Sequence, residues 1–257
     1  MEPVKIFEET QYTESSFSVI FPRQADIRLK LNEFERKLKG HYGQPQIINI
    51  PDDMGPEAPR AIFISSDTYC QMVISQVNVV LTINFPITLQ SDEDLRNKYL
   101  LEKASLVFDI VNSIRADGKP IKASYCGITT KVRIPVISEE VNAIDLISKL
   151  LNVENDHRDI HEISRRIAKI VKAKYFSNVV IENYRSWEFN IPSAGFVKLR
   201  NADVKEQGIQ IIGDYNDKFA YQERSSYSTT KSEMNKVIDQ GLKVVARAIE
   251  EVRKHND

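Results

Sequence analysis

The sequence predicts an α+β fold, a curved and mainly antiparallel sheet with long helices packed on one face. Three observations predict it. First, Val77, Val79, Leu81, Ile83 and Phe85 alternate with residues that include Asn78, Thr82 and Asn84. Second, Cys126, Ile128, Thr130, Val132, Ile134 and Val136 alternate with Tyr125, Gly127, Thr129, Lys131 and Arg133. Period-two alternation marks a strand with one buried face, and it favours antiparallel pairing over the continuous apolar runs of a parallel sheet. Third, a long helix-spaced apolar stripe follows strands in each half, which is what covering one sheet face requires.

In chain order, Phe17, Val19 and Phe21 alternate with Ser16, Ser18 and Ile20 in a strand stopped by Pro22. Asp26 stands where a helix cap belongs, ahead of Ile27, Leu31, Phe34 and Leu38 on one stripe, and Gly40 is placed to end that helix. Residues 41–59 hold Pro45, Pro51, Pro56 and Pro59 and read as a mobile surface excursion. Ala61 to Ile64 is a strand and Ser65-Ser66-Asp67-Thr68 a turn. Tyr69 to Phe85 reads as one long strand whose phase slips near Ser75-Gln76, as a bulge or a tight bend would make it. Ser91 and Asp94 stand in capping-box relation before Leu95, Tyr99, Leu100, Ala104, Val107, Val111 and Ile114.

Pro135 in the second long strand suggests an edge or a strand terminus. Val141 to Leu151 and Asp156 to Ala173 read as two helices, the second with Ile160, Ile163, Ile167 and Ile170 on one stripe. Val179, Ile181, Trp187, Phe189 and Ile191 share a strand face that Pro192 ends. Shorter strands are expected at Phe196 to Leu199 and Ile209 to Ile212. Thr230 and Glu233 form a capping box for the last helix, and Gly241 on its stripe would let it sit close to a sheet. The order is βαβββ-like, then αβ, αα and βββα. It fits a single domain over 1–257 with a weak pseudo-repeat in halves 1–137 and 138–257.

The chain has 257 residues, 42% hydrophobic and 28% charged, with a net charge of −1. Interleaved charge argues against a general polyanion binder. No apolar run approaches the ~20 residues that span a bilayer. The opening Met1-Glu2-Pro3-Val4-Lys5 lacks signal-peptide features, so a cytoplasmic address without membrane contact is expected. Cys70 and Cys126, both in strand-like segments, are expected reduced and buried.

The layout resembles a family of sporadically distributed bacterial proteins of about this length. The shared features are the Phe17 to Phe21 strand, the Ser66-Asp67 turn and the Ile212-Gly213-Asp214-Tyr215 strand before the closing helix. A fourth is the run from Tyr125 to Pro135, standing where the family has Gly-Leu-Arg-Tyr-Ile-Asn closing on Ile-Pro. Here Thr129-Thr130-Lys131-Val132 replaces the Arg-Tyr-Ile-Asn core. The resemblance implies no activity and no catalytic residues. A scattered distribution would fit an accessory gene linked to mobile elements or defence.

His157 and His161 are four apart on the expected helix and so are weak metal candidates. The chain reads His-Arg-Asp-Ile-His-Glu there rather than His-Glu-x-x-His, and no third ligand is identifiable. Neither Gly-x-Gly-x-x-Gly nor Gly-x-Ser-x-Gly occurs, and no catalytic residue or cofactor is expected. A basic, aromatic surface is the more specific candidate. Tyr125, Thr129, Lys131 and Arg133 would share a strand face, Tyr184 would come from another strand, and Arg185 and Trp187 would lie on that strand's other phase. Arg165, Arg166, Lys169, Lys172 and Lys174 crowd the expected middle helix. An ordinary solvated face explains the same charges.

The leading expectation is a non-enzymatic binding or assembly protein acting through its sheet surface or an exposed edge on a protein partner, most simply as a homo-oligomer. The alternative is a nucleic-acid-associated accessory factor of a bacterial defence or mobile-element system. An enzyme with a site assembled from scattered residues comes third.

Overall fold

The computed structural model describes residues 6–51, 53–116, 118–137, 142–152, 160–187 and 204–255. Its strands are β1 Gln11–Ile20, β2 Gln46–Ile47, β3 Ala61–Ile64, β4 Cys70–Ile74, β5 Asn78–Asn84, β6 Arg115–Ala116, β7 Lys119–Pro120, β8 Tyr125–Pro135, β9 Ser164–Val171, β10 Tyr175–Trp187 and β11 Val204–Asn216. Its helices are α1 Leu31–Leu38, α2 Ile87–Ser91, α3 Glu93–Ser113, α4 Ala143–Leu151, α5 Lys218–Glu223 and α6 Lys231–Lys254, with a 3₁₀ turn at Ile27–Lys30. Among the described residues a nine-stranded sheet runs β2-β3-β4-β5-β1-β8-β11-β10-β9, while β6 and β7 pair separately. Every ladder is antiparallel. The α+β class expected from the sequence is the observed one.

A duplicated topology underlies this order. β1, α1, the meander β3-β4-β5, α2 and α3 are matched by β8, α4, the meander β9-β10-β11, α5 and α6. In each half the first strand pairs with the last strand of the meander, β1 with β5 and β8 with β11. The halves join where β1 pairs with β8, so the repeat divides ahead of β8.

Helices α1, α3, α4 and α6 lie on one face. Phe17, Val19, Leu81, Ile83 and Met72 bury under α1 and α3, which contribute Leu31, Phe34, Leu38, Leu100, Val107 and Val111. Ile134, Ile181, Ile209 and Ile211 bury against Leu146, Ile147 and Leu150 of α4 and Ala248 and Val252 of α6. Among the described residues no helix is long and apolar enough to cross a membrane.

Gly241 fulfils its expected part. A Cβ there would stand 2.4 Å from Ile128 Cγ2 and 3.4 Å from Tyr215 Cβ, so α6 reaches the sheet at van der Waals distance only because this position is bare. Gly213 answers from the sheet, where a Cβ would meet Val245 Cγ2 at 2.4 Å. Gly241→Val should lift α6 off β8 and cost about 2–3 kcal/mol of stability. A thermal melt matching wild type would show that this contact is slack.

Several expectations need correction. Tyr69 to Phe85 is a hairpin, with Ile74 facing Val79 across β4 and β5. Ser75 and Gln76 form its turn, and the Ser75 hydroxyl donates to Asn78 Oδ1 at 2.8 Å. Of the bulge and the tight bend expected there, the chain makes the bend, as a full hairpin turn that reverses the phase. Asp92 rather than Ser91 caps α3, accepting from the Leu95 amide at 2.9 Å, while Ser91 ends α2. Asp26 makes no side-chain cap and pairs instead with Lys30 at 3.3 Å. Of the two readings of Pro135, the strand terminus holds and the edge does not, since it ends the interior strand β8. The helix expected over 156–173 is absent where the chain is described. Ser164–Val171 is the edge strand β9, joined to β10 through Lys172 and Ala173 at φ 52 and 45.

The proline-rich excursion makes hydrogen bonds with its surroundings. Arg28 donates to the carbonyls of Ile48 and Ile50 at 2.8 and 2.5 Å, and the buried Arg60 donates to Ala58 at 2.7 Å. The strand expected at Phe196 to Leu199, and Phe189, Ile191 and Pro192, lie outside the described residues.

Candidate binding surface

Side chains that point away from the helices form a second sheet face, and strand register places them. One cross-strand row runs Ile62, Val73, Val80, Ser18, Gly127, Asn216, Phe176 and Ile170 across eight strands, from β3 to β9. The next row runs Ile64, Gln71, Thr82, Ser16, Thr129, Asp214, Asn178 and Ala168. The first is apolar at both flanks and small at its centre, and the second is mostly uncharged and hydroxyl-rich. Among the described residues no long helix covers either row.

Tyr125, Thr129, Lys131, Arg133 and Tyr184, all singled out from the sequence, are on this face. Thr129 pairs with Ser16 and Asp214, and Lys131 with Glu14 and Ile212. Tyr184 lies buried across Gly208, where a Cβ would come within 2.9 Å of its Cε1. Its hydroxyl donates to Glu206 at 2.9 Å, and the Arg133 guanidinium sits 4.8 Å from its ring centroid. Burial, then the bond to Glu206, pushes the Tyr184 hydroxyl well above the ordinary tyrosine value. Arg133 and Tyr184 thus form one unit.

Sequence reasoning missed the aromatic end of the face. After β11, α5 brings Tyr221 to 5.5 Å from Tyr125, ring centroid to centroid, and Phe219 to 5.4 Å from Phe176 edge-on. The short, mixed run of α5 carries no period to announce it.

Arg185 and Trp187 do not join this surface. They fall on the opposite phase of β10, and the Arg185 guanidinium lies 3.2 Å from His161 Nδ1. His161 is exposed and precedes a strand, so the helical face expected to pair it with His157 is not formed at His161. His157 itself lies outside the described residues. Among the described residues no group of three or more His, Cys, Asp and Glu could hold a metal ion. The five cations of the expected middle helix are dispersed by strand alternation. Arg165 and Lys169 face the helix layer, Arg166 faces the bare side, Lys172 is in the turn, and Lys174 pairs with Glu233 at 2.7 Å.

Two buried polar clusters pin the layers. The fully buried Asp217 accepts bonds from the Cys126 amide at 2.7 Å, the Tyr227 hydroxyl at 2.6 Å and the Thr229 hydroxyl. Burial raises its carboxyl above the usual aspartate range, against the pull of those bonds. Nearby, the Thr230 hydroxyl caps α6 by accepting from the Glu233 amide at 3.2 Å. The Glu233 carboxylate does not reach back as a capping box would. It takes Lys174 and the Tyr175 hydroxyl instead. Burial works to raise Glu233, but Lys174 and Tyr175 outweigh it and hold the carboxyl below its ordinary value.

Cys70 and Cys126 are free and buried, as expected. The expected turn before Cys70 is also present, with the Ser65 hydroxyl donating to Asp67 at 2.5 Å. Comparison with known proteins finds no matching family model, no matching curated protein and no matching solved structure.

Proposed function

We propose that this chain is a non-enzymatic binding or assembly protein whose working surface is the bare face of the sheet, and that its simplest occupant is a second copy of the chain. The observation that supports this reading is the pair of rows crossing eight of the sheet's nine strands. The two rows hold no lysine or glutamate, residues depleted at interfaces, and a single carboxylate, Asp214. Two-fold closure is the commonest way to cover such a surface.

Charge favours protein over nucleic acid as the occupant. The strand positions of this face carry Lys131, Arg133 and Arg166 against Glu14, Glu182, Glu206 and Asp214. Three cations beside four carboxylates give no net attraction for a phosphate backbone.

Light scattering over a micromolar concentration series tests the reading. The expected mass is twice the 29.5 kDa of the chain, falling to the single-chain value in a Val80→Arg, Thr129→Arg variant that stays folded. A dimer indifferent to that variant would place the interface elsewhere. A monomer that carries nucleic acid, seen as excess absorbance at 260 nm, would favour the accessory-factor reading.

A further inference from the structure

Among the described residues, the duplicated fold is closed in one half and open in the other. In the first half, Leu31, Phe34 and Leu38 of α1 cover the outer meander, and Ala61, Phe63 and Met72 beneath them are fully buried. In the second half α4 sits over β10 and β11, meeting Ile181, Ile209 and Ile211. The inward side chains of β9 receive no such cover among the described residues, and Ile167 and Val171 stay half-exposed. A groove of about 210 Å³ remains there between β9, β10 and α6.

Its chemistry is two-sided. Ile167, Val171, Val179, Val244 and Ala248 supply an apolar floor, and Arg165, Lys169 and Arg247 stand on its walls with Glu251. Glu251 is already bound to Arg165 at 2.8 Å. Lys169 and Arg247 are exposed and have no ion-pair partner among the described residues. The groove therefore offers apolar surface beside two uncompensated cations.

Size narrows the occupant. The wall of α6 from Gln240 to Glu251 is about 16 Å long at 1.5 Å per residue. A volume of about 210 Å³ along that wall makes the groove narrow for its length. That is a slot for one extended chain, smaller than the ~300–1,000 Å³ of sites for drug-sized ligands. The geometry points to a binding site for an unbranched amphipathic carboxylate, a medium-chain fatty acid, with its alkyl chain on the β9–β10 floor and its carboxylate between Lys169 and Arg247. This inference is independent of the bare-face reading, since the groove lies on the helix side of the sheet.

Calorimetric titration of the full chain with hexanoate, octanoate and decanoate, each below its micelle concentration, tests it. One molecule should bind per chain, with affinity rising up to about fourfold per added methylene, the factor equivalent to 0.8 kcal/mol for each buried CH₂. Octylammonium should bind at least tenfold more weakly than octanoate. Lys169→Glu with Arg247→Glu, both at exposed positions that spare the core, should reverse that preference. Val244→Trp should block both ligands. No saturable heat with decanoate, or binding unchanged in the charge-reversed and filled variants, would overturn the assignment.

Discussion

Ile83→Asp is expected to abolish the cooperative melt. Ile83 is fully buried in β5, facing Ser15 of β1 on one side and Cys70 of β4 on the other, beneath the helix layer. An aspartate there replaces an apolar side chain in the core, and an unpaired buried carboxylate costs about 3–5 kcal/mol or more. That is a large share of the ~5–15 kcal/mol by which a domain is stable. The neighbouring Thr82→Asp provides the phase control. Thr82 points to the bare face between Gln71 and Ser16, and in the Val80→Arg, Thr129→Arg background, which keeps that face uncovered, its carboxylate has access to water, so this variant should melt within about 1 kcal/mol of its parent. Near-ultraviolet circular dichroism and a thermal melt read both. Equal losses in the two variants would mean that the second face is not open.

That contrast shows why some elements were legible in the sequence. β5 and β8 alternate because one of their faces packs on α3 and α6 while the other is open, and a one-residue slip would invert every side chain. β9 escapes the same reading for the opposite reason. At the sheet edge, with its inner face left as a groove, it has no burial pattern to enforce. Ile160, Ile163, Ile167 and Ile170 fall by composition on helical spacing, and in the strand Ile167 and Ile170 face opposite sides. Its hairpin turn takes positive φ at Lys172 and Ala173 rather than at Gly or Asn, so the usual turn signal is missing. The β4–β5 turn hides similarly, because Ser75 and Gln76 are fully buried and satisfied by side-chain bonds instead of exposed in a Gly or Pro turn.

The candidate surface divides along the same line. Tyr125, Thr129, Lys131 and Arg133 were found because one strand's alternation puts them together. Tyr221 and Phe219 arrive through tertiary packing of a helix only six residues long. Arg185 and Trp187 fell on the other phase in the sequence too, and the structure keeps them there.

Asp217→Ala should be the most damaging polar truncation in the chain. Asp217 is fully buried just past β11, and its carboxylate binds the Cys126 amide at the start of β8 together with the hydroxyls of Tyr227 and Thr229. It therefore fastens the segment leading into α6 to the junction of the second half. Alanine leaves a buried amide and two hydroxyls without their acceptor, at about 1–3 kcal/mol each and about 3–5 kcal/mol together once the hydroxyls relax. At about 2–4 °C per kcal/mol for a chain of this size, the melting temperature should fall by about 6–20 °C. The pH dependence carries a sign. Burial raises the folded-state carboxyl above its unfolded value, so the folded chain holds this proton more tightly than the unfolded chain. The stability that this adds is fully present below the unfolded value near 3.8 and is lost as pH rises through the raised folded value. The gap between wild type and Asp217→Ala should accordingly widen as pH falls from 7 towards 4. Asp217→Asn keeps one acceptor and removes the titration, so it should cost less at pH 7 and show no such widening relative to Ala. Melts at pH 4, 5.5 and 7 decide it. A gap that narrows on acidification would mean that the carboxylate's three hydrogen bonds, rather than its burial, dominate at this position.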